Sequence, residues 1–172
     1  MRISEIPEGK TIHILLRYTE GKGEHTVPAP GTIALHEEII KKYGYVWIGK
    51  WGRAVKGDFV IRTLMEQINA GVHTYVFLAR YEAKAYLVHS CELVSIATHV
   101  DDDNLIPLYY RDRKTSINTW FKVRDITQVN PDILDELIGP SNGMSISQTL
   151  KKNMSSFLYV LFGTRQTVED FR

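Results

Sequence analysis

Tyr45-Val46-Trp47-Ile48-Gly49-Lys50-Trp51-Gly52 decides how this chain is read. Two indoles, two glycines and a lysine fall within one short stretch, with Arg53 and Lys56 close behind. Tyr45 to Ile48 predicts a buried strand. The glycines at 49 and 52 allow the chain to bend where that strand stops. An apolar strand that runs into a flexible, basic, aromatic loop suits a pocket for a flat, electron-rich group such as a nucleobase. Stacking of a base on an aromatic side chain is worth about 1–3 kcal/mol. The plainer reading of the same residues is a pair of core or rim tryptophans.

Upstream, Thr32 to Tyr43 predicts a helix capped by Thr32, with Leu35, Ile39 and Tyr43 on one face beside His36 and Ile40. Lys41 and Lys42 suit its C-terminal end, and Gly44 is placed as a left-handed cap. Lys10 to Thr19 predicts a first strand, and Glu20 to Pro30 a loop. Downstream, Asp58 N-caps a second helix that carries Ile61, Leu64, Met65 and Ile68 and closes at Gly71. Strands follow at Thr74 to Arg80 and Ala85 to Ile96, joined tightly around Glu82. Thr98 to Ser116 predicts a long loop, a length usually tied to function or motion. Ile117 to Val129 predicts a strand, Pro131 to Leu137 a short helix, Ser145 to Asn153 a helix, and Ser156 to Phe162 a last strand. Strands grouped in the middle with helices inserted argue for an α+β domain around a curved, partly closed sheet. One domain is expected over residues 1–162, with a loosely held tail over 163–172.

Composition narrows the class. At 172 residues with 44% apolar and 24% charged content, the chain can bury a core. Lysine and arginine number 21 against 20 acids, so net charge makes no case for a polyanionic partner and only local clusters can. The single cysteine, Cys91, excludes an internal disulfide and fits a reducing compartment. No signal-like or membrane-length apolar run occurs, which makes a cytoplasmic protein, or a piece of a larger one, the expectation.

Three basic groups stand out: Lys50, Arg53 and Lys56; Arg111, Arg113 and Lys114; Lys122 and Arg124. Converging on one surface, they would form a rim for phosphates, and Tyr109 and Tyr110 interleave with the second group. Scattered, they are ordinary solvated charges. Signs of catalysis are sparse. Glu82-Ala83-Lys84 with Asp58 has the spacing of a metal-dependent nuclease centre, although Asp58 is also a helix cap. Asp101 to Asp103 reads as an exposed acidic turn before a cation site. His89-x-Cys91 lacks a second ligand pair for zinc. No cofactor is implied.

Three stretches resemble the YTH domain, within the wider EVE and PUA-like group of modified-nucleotide readers. Tyr45 to Trp47 resembles the strand ending in that family's first cage tryptophan. The helix around Leu64 and Ile68 leading into Thr74 to Leu78 is similar to the family's helix and apolar strand. Trp120 to Ile126 resembles its Phe-Lys strand, with Asp125 where the family has tryptophan; the family's later asparagine loop would fall on Ser141 to Gly143. The resemblance implies a curved, partly closed PUA-like β-barrel with flanking helices. It implies a non-catalytic module that holds a flipped, methylated base in an aromatic cage. Trp47 would be one wall, with Trp51, Tyr109, Tyr110 or Trp120 as candidates for the other, and Asn142 as an edge contact. Lys50, Arg53, Arg111, Arg113 and Lys122 would grip phosphates. Similar domains begin McrBC-type restriction subunits, so modified DNA is expected ahead of RNA, with further domains or subunits of a restriction or defence complex as partners. A nuclease using Asp58, Glu82 and Lys84, or a protein-interaction domain, is the alternative.

Overall fold

The computed structural model describes residues 9–52 and 58–172, the side chains of 58–60 excepted. It shows an α+β fold built on one mixed seven-stranded sheet. The strands are β1 (His13–Arg17), β2 (Val46–Gly49), β3 (Tyr75–Glu82), β4 (Ala85–Ala97), β5 (Trp120–Val129), β6 (Leu137–Ile138) and β7 (Phe157–Phe162). Five helices flank them: α1 (Thr32–Tyr43), α2 (Asp58–Asn69), α3 (Leu108–Arg111), α4 (Ile133–Glu136) and α5 (Ile146–Lys152). The sheet order is β2-β5-β4-β3-β1-β7-β6. β1 and β3 run parallel, and the remaining pairs are antiparallel.

The expected partial closure is corrected by that order: the sheet is open, ending at β2 and at β6. It is nonetheless strongly curled. Phe121 on β5 and Phe157 on β7 lie four strand steps apart along the ladder, a span of about 19 Å if the sheet were flat. Their rings stack with centroids 6.0 Å apart and 12° between planes. Curling of this degree brings the β2 end of the sheet round towards β1 and β7.

Two cores fill the faces of the curl. Ile14 and Leu16 of β1 join Val46, Ile48, Val76, Leu78, Phe121 and Val123 on one side. Leu15 joins Phe77, Ala79, Val88, Leu137 and Val160 on the other. Burial on both faces explains why β1 is a continuous apolar run with no alternation. Gln67 of α2 clamps the start of β1, accepting from Ile12 N at 2.9 Å and donating to Ile12 O at 2.8 Å.

Local signals mark the helix ends. Gly44 adopts φ +87° and its N–H donates to Ile40 O at 2.7 Å, the left-handed stop anticipated for α1. The N-terminal cap differs from the expectation. Thr32 does not cap the helix; the Glu20 carboxylate accepts from Thr32 N at 3.0 Å and from Thr32 Oγ1 at 2.9 Å. An acidic group there also complements the helix dipole. The expected long loop at 98–116 contains α3 and two short turns. In the stretch 163–172, where a loose tail is expected, Val168 is buried in the second core and Phe171 O accepts from Asn130 N.

Candidate functional site

A cleft of about 700 Å³ opens where β1, β2 and β3 end. Its walls come from Leu16 to Thr19, Ile48 to Trp51, Leu78, Ala79 and Tyr81, with Thr32 and His36 of α1, Tyr109, Tyr110 and Arg113 around α3, and Met154 and Ser156 before β7. That volume is in the range of small-ligand sites. The open sheet creates it, because the gap between the β2 edge and the start of β7 is left unpaired. Lys50 leans across, its Nζ 5.8 Å from the Phe157 ring centroid.

The wall on the α3 side is an aromatic array. Trp51 stacks on Tyr110 at 5.8 Å and 28°, and Tyr110 stacks on Tyr109 at 4.5 Å and 29°. Trp120 meets Tyr110 edge-on at 5.6 Å from beneath. Trp51 is 42% exposed, whereas Tyr110 and Trp120 are buried. The Tyr110 hydroxyl contacts Tyr109 and the Gly49 backbone, and burial pushes its pKa up to about 12. Burial raises Tyr109 further. Both phenols are therefore neutral, and the stacked pair backs the half-exposed indole of Trp51. Arg113 places its guanidinium 6.0 Å from the Trp51 ring. Lys50 donates to Trp51 O at 3.4 Å, and partial desolvation lowers its pKa. At the mouth, Tyr81 and Met154 are 61% and 90% exposed.

The residues singled out from sequence divide clearly. Trp51, Tyr109, Tyr110, Lys50 and Arg113 come together in the cleft. Trp47 does not line it. Because Val46 and Ile48 face the inner core, Trp47 faces outward, packed against the Val100, Ile106, Tyr110, Ile117 and Trp120 cluster. Lys122 sits opposite Trp47 in the β2–β5 register and lies over both Tyr45 (4.8 Å) and Trp47 (5.7 Å), away from the cleft lining. Trp120 supports Tyr110 but offers no surface of its own. Arg111 is exposed on α3 outside the lining, and Arg53 and Lys56 lie outside the described residues. Asn142 belongs to the turn between β6 and α5, where its Oδ1 accepts from Met144 N at 2.9 Å. β6 is the opposite end of the sheet from β2, and Asn142 is not among the cleft residues.

The alternative chemistry finds ordinary explanations. Ala83 and Lys84 have positive φ and form the two-residue β3–β4 turn, and Glu82 accepts from Arg80 at 2.6 Å. The Asp58 side chain lies outside the described residues. Asp102 caps Asn104 N, and Asp103 pairs with Lys114 at 2.6 Å. Among the described residues no group of three or more His, Cys, Asp or Glu could hold a metal ion, and no helix is long and apolar enough to cross a membrane. Sequence reading missed the part played by His36. It is the only residue of α1 that is buried, at 1% exposure, and it reaches the cleft wall beside Tyr109 and Tyr110. A histidine on the apolar face of a helix was the available signal.

Neither a curated protein nor a solved structure matches the chain. A family model described as Pua-like matches residues 14–148, from the first strand of the cleft through its aromatic wall and on into α5. The chain belongs to the Pua-like family.

Proposed function

We propose that the cleft holds a nucleobase, and that the protein is a reader of a methylated base flipped out of DNA. Pua-like domains are in general non-catalytic modules that bind nucleic acid. The observation that carries the proposal is the meeting of Trp51, Tyr109, Tyr110, Lys50 and Arg113 in one cleft of about 700 Å³. A base sliding against the exposed indole would gain stacking energy, and Tyr110 behind the indole keeps it from turning away. Leu16, Ile48 and Leu78 supply apolar depth for a methyl group. Lys50 and Arg113 at the aromatic wall, with Lys122 and Arg111 on the flanking surface, would hold phosphates on either side. The choice of DNA, and a place in a modification-dependent restriction or defence system, rest on the sequence resemblance alone.

The test is titration of a methylated oligonucleotide into wild type, Trp51→Ala and Trp47→Ala. Trp51→Ala is expected to lose between about five-fold and a hundred-fold in affinity, the value of one aromatic stack. Trp47→Ala is expected to bind within about two-fold of wild type while folding less stably. The reverse ranking would move the site from the cleft to the outer face of β2.

A further inference from the structure

Two polar atoms on the cleft wall, His36 Nε2 and Tyr18 Oη, are buried and have no hydrogen-bond partner among the described residues. His36 is the more informative. Its Nδ1 lies 2.7 Å from Thr32 O. A carbonyl oxygen can only accept, so Nδ1 carries the ring proton. Burial lowers the His36 pKa to about 4, so the ring is neutral at ordinary pH. Nε2 is therefore a bare lone pair, and its direction is fixed by the Thr32 contact and by the edge-on rings of Tyr109 and Tyr110. Leaving such an acceptor empty in a buried site costs about 1–3 kcal/mol. Nothing in the packing of α1 requires a lone pair there, since an apolar ring would fill the same space at no such cost.

We infer that His36 Nε2 reads the edge of the ligand by accepting an N–H from an exocyclic amine. The cleft would then take adenine or cytosine bases that keep at least one amino proton. The inference rests on the base-binding reading of the cleft and adds to it the edge that is recognised. An exocyclic amine is favoured over a ring N–H by shape. The ring N–H of thymine or uracil stands between two carbonyl oxygens, which would be pressed against the lone pair of a recessed acceptor; in guanine one carbonyl stands beside the ring N–H, and the 2-amine has that ring N–H, not an accepting ring nitrogen, beside it on the pairing edge. An amine projects beyond the ring and reaches it alone. Tyr18 Oη, which can donate, complements the ring nitrogen beside that amine. A methylamine keeps one N–H and brings its methyl group to the apolar wall; a dimethylamine has no N–H left to give.

Short single-stranded oligonucleotides with one central adenine, N6-methyladenine or N6,N6-dimethyladenine, and the matching N4 series on cytosine, are titrated into wild type, His36→Phe and Trp51→Ala. On the base that binds, wild type is expected to lose about ten-fold from monomethyl to dimethyl. His36→Phe keeps an aromatic ring against the tyrosines and lacks the acceptor. It is expected to bind the two within about two-fold, whereas a purely steric penalty for the second methyl would survive the substitution. Should His36→Phe not fold, the nitrogen NMR signal of wild-type His36 Nε2 decides, by moving with the monomethyl ligand and staying with the dimethyl one. Trp51-dependent binding without the dimethyl penalty, or a penalty that persists in His36→Phe, overturns the acceptor role alone. Binding indifferent to Trp51→Ala removes the base from the cleft, and the acceptor role falls with it.

Discussion

Gly49 is where the strand hands over to the cleft, and adding one methyl group there tests how tightly the two are joined. A Cβ at Gly49 would lie 2.8 Å from Ile117 Cδ1 and 2.9 Å from Trp120 Cζ3. Both neighbours are essentially buried. The isoleucine terminus could rotate, but only into the cluster it already fills. The indole is rigid and is held by Tyr110. Forcing a methyl into a filled core costs about 1–3 kcal/mol. Against this, Gly→Ala restricts the unfolded chain and returns about 0.4–1 kcal/mol. The steric term is the larger, so Gly49→Ala should destabilise by about 1–2 kcal/mol. For a domain of this size that lowers the melting temperature by roughly 2–8 °C. In urea the midpoint should fall with the slope unchanged. Because the displaced indole bears on Tyr110, base binding should weaken as well. A Gly49→Ala protein as stable as wild type would refute the account of a closely packed floor beneath the aromatic wall.

Further expectations concern charge and reactivity. His13 is buried, its Nδ1 accepts the Tyr75 N–H at 3.0 Å, and desolvation lowers its pKa from 6.5 to about 3. With His36, lowered from 6.5 to about 4, it gains its proton more readily when unfolded. Unfolding therefore takes up protons below pH 6.5, and stability present above that pH is lost as pH falls towards 4 and then 3. The slope is at most about 1.4 kcal/mol per pH unit for each histidine; urea midpoints from pH 7 to 4 measure it, and a flat profile would contradict the burial of both rings. Cys91 is fully buried and its thiol is held well above its usual pKa by desolvation, so thiol reagents should label it only after unfolding. Arg113→Gln should reduce the salt dependence of oligonucleotide binding by about one ion-equivalent, while leaving the preference for one base over another in place.

Much of the fold was legible because its signals are local. Gly44 stops α1, a helix is expected from Ser145 and α5 begins at Ile146, and the apolar residues between Lys10 and Thr19 announce the strand β1. The openness of the sheet was not legible, since it depends on whether strands distant in sequence pair at the edges. The site was half legible. Trp51, Tyr109, Tyr110 and Arg113 stand out in the sequence as aromatic and basic residues, but only the tertiary fold brings α3 against the end of β2. Alternation along β2 could separate Trp47 from Val46 and Ile48, yet it could not say which face of the sheet holds a cleft. The bend after Gly49, anticipated from its glycines, is what frees Trp51 from that alternation. Asn142 was assigned by resemblance, and a local turn hydrogen bond explains its position.

The central claim is that the cleft beside Trp51 distinguishes a methylated base from its unmodified parent. The most direct measurement is the affinity of wild-type protein for matched methylated and unmethylated oligonucleotides, across the adenine and cytosine series, by competition at fixed salt. Burying one methyl group against Leu16, Ile48 and Leu78 is worth about 0.8 kcal/mol. The account therefore predicts a preference of about four-fold or more for one methylated base, abolished together with tight binding in Trp51→Ala. Equal affinity for every methylated and unmethylated pair would contradict it.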